Sequence, residues 1–184
     1  MTFGWAGSPP NAASAPVIKR AHWGAPGPGK NRDVTRDIRC QNGFPCDVEA
    51  RVANFGDPAP GQGKKLTVVW SCWSGTQVLA RIADENSKVR VECTDSPPVS
   101  SRRIAITNAK WIGGPQPGEI RDVTADVREL CGGRAVLCQV PAMEYFFGDP
   151  KPGHTKTLSI AYTCSGQGTL SESVSENIPA KLDC

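Results

Sequence analysis

Apolar and polar positions alternate along this chain in short bursts, each about one strand long. The runs "LTVVWSC" (66–72), "QVLARIA" (77–83), "KVRVEC" (88–93) and "LSIAYTC" (158–164) are rich in Val, Ile and Thr, the residues that suit a pleated, half-buried surface. Between them, 19 Gly and 16 Pro interrupt any longer pattern and mark turns. Only "DVTRDIRCQ" (33–41) and its partner "DVTADVREL" (122–130) offer a brief helix, with Asp or Thr placed to cap it. The pattern predicts an all-β protein built of small antiparallel β-sandwiches with long loops.

The bursts come twice. "FGDPAPGQGKKL" (55–66) returns as "FGDPKPGHTKTL" (147–158), with eight of twelve letters identical across 92 positions. "IKRAHWG" (18–24) answers "ITNAKWIG" (106–113), and "RDVTRDI" (32–38) answers "RDVTADV" (121–127). "KKLTVVWSC" (64–72) answers "KTLSIAYTC" (156–164), and the copies end alike in "ADENSKVRVEC" (83–93) and "VSENIPAKLDC" (174–184). In a chain of 184 residues this predicts two tandem domains, at 17–93 and 104–184. A leader rich in Ala, Pro, Ser and Gly (1–16) precedes them, and a short proline-bearing linker (94–103) lies between.

Domains this small bury a limited share of their surface, so crosslinks are expected. The eight cysteines recur in order, Cys40, Cys46, Cys72 and Cys93 matching Cys131, Cys138, Cys164 and Cys184. Their spacings are too wide for the C-x-x-C pairs of zinc ribbons, and His22 and His154 sit at unrelated places, so disulfides are expected and no metal or other cofactor. Pairing within each repeat is the simple assumption: Cys40 with Cys46, Cys72 with Cys93, Cys131 with Cys138 and Cys164 with Cys184. Four cysteines admit three connectivities, and the sequence leaves the choice open. Disulfides imply secretion into an oxidising compartment, the initial Met standing where a signal has been removed. No apolar stretch reaches membrane-spanning length, so membrane insertion is not expected. With 21 basic and 18 acidic residues the net charge is +3, and the basic residues are scattered, which gives no support to nucleic-acid binding.

The chemistry worth testing lies in the repeated loop. Gly-Asp-Pro and then Pro-Gly form two tight turns that end at Lys64, just before a strand. Such a double turn sets Asp57 and Lys64 near each other with little backbone freedom, and a fixed carboxylate beside a fixed ammonium suits sugar hydroxyls, which both donate and accept. The simpler alternative is that Asp57 caps its own turn and Lys64 is solvated. Among the five tryptophans, Trp23 and Trp111 match and are expected in the core, and Trp70, matched by Tyr162, points inward. Trp73 has no counterpart, and an exposed indole there would stack on a sugar or meet a protein partner.

The order A-x-W-G, then C-x-V-x-A in "CDVEARVANFGDPAPGQGKKLTVVWSC", then "FGDPKPGHTKTLSIAYTC" in the second copy resembles the galactose/rhamnose-binding lectins of the sea urchin egg lectin type. The resemblance covers nearly all of each repeat. It implies a β-sandwich lectin domain, usually in tandem, that binds galactose or rhamnose without metal. The site it implies combines a Glu from a C-E-G strand with the Asp and Lys of the FGDP motif. This chain departs from the pattern: Trp23 and Trp111 stand where the family has Tyr, Ala59 and Lys151 where it has Cys, and no C-E-G strand precedes the first repeat. Glu85 and Glu176, in the closing segments, would refill the Glu position by a permuted connection; the alternative is that they are exposed acids on edge strands.

Two functions follow as expectations. The first is a secreted tandem-repeat lectin without catalytic activity, with one site at Asp57, Lys64 and Glu85 and another at Asp149, Lys156 and Glu176, its partners glycans and the glycoproteins that carry them. The second is a secreted structural or protein-binding module, for adhesion or inhibition, in which the FGDP turn is architectural. No G-x-S-x-G, H-E-x-x-H or G-x-G-x-x-G occurs. Asp57 with Glu85, or Asp149 with Glu176, as a glycosidase pair is disfavoured by the small size of each module.

Overall fold

The computed structural model describes residues 15–40, 43–94, 96–98, 101–165 and 167–184. Most of the expected leader (1–14), and residues 95, 99 and 100 of the expected linker, lie outside them.

The first repeat contributes strands β1 (Val17–Gly24), β2 (Asn31–Asp33), β3 (Cys46–Glu49), β4 (Lys65–Cys72), β5 (Gln77–Asp84) and β6 (Lys88–Val91), with one helical turn, α1 (Val52–Phe55). The second repeats the order as β7 (Ile104–Ile112), β8 (Ile120–Asp122), helix α2 (Thr124–Cys131), β9 (Leu137–Pro141), the turn α3 (Glu144–Phe147), β10 (Thr157–Cys164), β11 (Thr169–Ser175) and β12 (Pro179–Asp183). The molecule is mainly β, as its alternating pattern predicts. Of the two stretches expected to form a brief helix, only the second does so. In α2, Val127, Leu130 and Cys131 are buried, whereas the matching Ile38 is only half-buried and its segment stays in turns.

Each repeat makes a sheet of matching order, β5-β4-β1-β2 in the first and β11-β10-β7-β8 in the second, and a strand pair, β3-β6 or β9-β12. The repeats differ in what those pieces join. β9 pairs in parallel with β5, Gln77 opposite Leu137 and Val78 opposite Cys138, so that one six-stranded sheet, β12-β9-β5-β4-β1-β2, runs through both halves of the chain. Beyond those two positions the Gln139 side-chain oxygen accepts the Ala80 N–H at 3.1 Å, prolonging the ladder with a side chain.

This sheet is buried on both faces of β4 and β5. Leu66, Val68, Trp70 and Leu79 pack with Trp23, Val48, Val89 and Val91 in one core. Val69, Val78 and Ala80, on the opposite face, pack with Trp111, Val140, Leu158, Ile160 and Leu182 in the other. Trp23, Trp70 and Trp111 are fully buried, as expected, each contributing about 1.5–3 kcal/mol by burial. The outer face of β1 meets α3: the His22 ring stacks on Tyr145 with centroids 5.3 Å apart, and the Arg20 guanidinium lies over Phe146 at 5.5 Å. The Tyr145 and Thr67 hydroxyls hydrogen-bond across the same contact.

All four disulfides close within a repeat, Cys40–Cys46, Cys72–Cys93, Cys131–Cys138 and Cys164–Cys184, and no cysteine is free. Each such crosslink typically adds about 2–4 kcal/mol by restricting the unfolded chain. No helix among the described residues is long and apolar enough to cross a membrane.

Candidate functional site

The FGDP turn is built the same way in both repeats. α1 and α3 each end on a glycine with positive φ, Gly56 at 76° and Gly148 at 78°, conformations that favour a residue without Cβ. The matching tryptophans hold these glycines: the Trp23 indole N–H donates to the Gly56 carbonyl at 2.8 Å, and Trp111 to Gly148 at 2.9 Å. The next residue folds over its own backbone, Asp57 accepting the Ala59 N–H at 3.3 Å and Asp149 the Lys151 N–H at 3.1 Å. The Asp therefore does cap its turn. It does a second thing with the same oxygen.

In the first repeat, that Asp57 oxygen lies 3.0 Å from the Lys64 ammonium, which also reaches Glu85 at 3.5 Å and donates to the Gln62 carbonyl at 2.9 Å. Glu85 arrives through strand register. Lys65 pairs with Asp84 in the β4–β5 hairpin, so Lys64 and Glu85 face each other one step beyond, and the Glu85 N–H donates to the Lys64 carbonyl at 2.8 Å. The ammonium is only 4% exposed, while Asp57 is 37% and Glu85 25% exposed. Lys64 is thus neither solvated nor displayed; it is a buried cation holding two carboxylates whose other edges meet solvent. Its hydrogen bond to Asp57, aided by Glu85, keeps it charged above the usual lysine range.

The second repeat brings together Asp149, Lys156 and Glu176 by the same register, Thr157 opposite Ser175. Lys156 is 2% exposed and pairs with Asp149 at 2.9 Å. Glu176 accepts the Lys156 backbone N–H at 3.3 Å and donates its own N–H to the Lys156 carbonyl at 2.8 Å. A fourth group, Glu144, also pairs with Lys156. Burial opposes the charge on Lys156, but Glu144 and Asp149 outweigh it and hold the ammonium above the usual range. Burial also pushes the Glu176 carboxyl up, and the neighbouring Glu144 charge adds to the effect.

Each expected trio thus assembles in space, and sequence reasoning missed Glu144. Overlaying "VANFGDP" on "EYFFGDP" would have found it, as an acid standing where the first copy has Val52. Trp73 departs from expectation. Its indole is half-buried against the first core with its N–H enclosed and unpartnered, and its φ of 53° belongs to a tight turn, Trp73–Gly75. That turn serves the joint between repeats, the Thr76 carbonyl accepting the Val136 N–H at 2.8 Å.

A separate cleft of about 910 Å³ opens in the first repeat, with Arg32, Arg39, Glu49, Asn54 and Phe55 among its walls. Among the described residues no group of three or more His, Cys, Asp or Glu is set to hold a metal ion. No protein-family model and no solved structure gives a significant match to the chain, so the site is read from its own geometry.

Proposed function

We propose that the chain is a secreted, carbohydrate-binding protein of lectin type, without catalytic activity, composed of two tandem β-sandwich units sharing a sheet. The observation that carries this reading is the meeting of Asp57, Lys64 and Glu85, and again of Asp149, Lys156 and Glu176, from the FGDP loop and the closing segment of each repeat. These are the residue types that the lectin resemblance requires at one point in space. In the first repeat the partly exposed carboxylate oxygens of Asp57 and Glu85 are held by a buried cation, so they accept hydrogen bonds from neighbouring sugar hydroxyls with little ordering cost. Lys64 then acts by fixing the carboxylates rather than by reaching the sugar itself. Galactose and rhamnose are the first sugars to try, and glycoproteins the natural carriers. Four disulfides are compatible with an oxidising compartment.

The burial of both lysines favours a second reading, a structural or protein-binding module in which the FGDP turn only braces the fold. A glycan array on the oxidised chain separates the two. The lectin reading expects binding by the wild type that the Asp57→Ala, Glu85→Gln double variant loses while its circular dichroism is unchanged. An array without signal for the wild type favours the module.

A further inference from the structure

We propose, resting on the carbohydrate-binding reading, that the two clusters have divided their roles: Asp57, Lys64 and Glu85 form the ligand site, while Glu144 closes the second cluster into an ion lock that holds the first repeat's 25–29 loop. Three differences between the copies, Glu144 for Val52, Lys151 for Ala59 and Glu119 for Lys30, close the second cluster.

Glu144 replaces Val52 at the start of the helical turn, and one of its oxygens is spent on Lys156. Its other oxygen accepts the Gly27 N–H at 3.1 Å, from the loop between β1 and β2 of the opposite repeat. Glu144 is 9% exposed, so its end of this bridge between repeats is largely shielded from solvent. The FGDP turn gains one further ion pair in the second copy. Lys151 reaches Glu119 at 2.9 Å, where the first copy offers Ala59 and Lys30, which form no such pair. The closure is tight, since a methyl group added at Gly113 would run into Lys151 and one at Gly114 into Glu119. Exposure follows the same division, Asp57 at 37% against Asp149 at 17%. A sugar approaching Asp149 meets a less exposed carboxylate whose ammonium is shared with the buried Glu144. Asp57 keeps a wider edge open to solvent.

The test uses the full oxidised chain, isotope-labelled, with amide signals followed during titration by D-galactose and by L-rhamnose. Shifts are expected at Asp57, Gly61 and Glu85, with Gly148, Gly153 and Glu176 unmoved. Equal movement in both clusters overturns the division of roles, and no movement with either sugar overturns the site assignment together with the reading beneath it. The lock is decided separately, by hydrogen exchange at Gly27. Glu144→Gln, or Glu144→Val should the first variant not fold, is expected to speed exchange at Gly27 about tenfold or more while β10 amides stay protected. An unchanged Gly27 rate overturns the lock, whatever the sugars do.

Discussion

Lys64 and Lys156 occupy matching positions and carry unequal burdens. Lys156 answers Glu144 and Asp149 in a nearly closed setting, so truncating it strands two carboxylates, a change that typically costs about 3 kcal/mol or more. Lys156→Ala is expected to lower the Tm by about 6–12 °C. Lys64→Ala is expected to lower it less, because Asp57 and Glu85 regain water on release. A calorimetric scan of the two variants with the larger loss at Lys64 would contradict this ranking. Glu176 supplies a pH handle. Its carboxyl titrates above the ordinary glutamate range in the folded state, so the stability it contributes is complete below that range and is lost as the pH rises through its raised value. Glu176→Gln keeps an acceptor for the Lys156 N–H and removes the charge. It is expected to melt above the wild type at neutral pH and to converge with it on acidification. A difference independent of pH would show that Glu176 is not the group responsible.

At the scale of elements, the strands were legible in the alternation, and the way they join was legible only by comparing the copies. β10 is buried on alternate residues, whereas β4 is buried on nearly every one, and the bulkier Val69 stands where the second copy has Ala161. Val78, Ala80 and Ile82 of β5 likewise stand where β11 has Thr169, Ser171 and Ser173. The extra apolar face is the one that the second repeat covers, and reading each copy alone hides it. Ala80→Glu buries a charge in that contact and is expected to destabilise the chain by several kcal/mol, about 3 or more, while the matching Ser171→Glu on the exposed face stays within about 0.5 kcal/mol. Chemical denaturation measures both, and equal effects would contradict the shared sheet. The turns α1 and α3 escaped the sequence reading because four residues cannot show a helical period. Their terminal glycines before Asp-Pro were the available signal.

At the scale of the molecule, the two sequence repeats differ in what each one contacts. Tyr145 and Phe146 reach the first repeat where the matching Ala53 and Asn54 are exposed, and Glu144 bonds across the same boundary. Hairpin register is what brings Glu85 and Glu176 to their lysines, and the candidate trios were legible through the double turn and the lectin resemblance. The asymmetry was not, because it depends on what each copy packs against. Repetition suggests bivalent binding, while the geometry assigns the open carboxylates to one copy and structural closure to the other. Calorimetric titration of the intact, oxidised chain with the sugar bound most strongly on the array tests this most directly. The expected result is one site per chain, lost in Asp57→Ala and kept in Asp149→Ala. Two equal sites, or binding that survives Asp57→Ala, would contradict it.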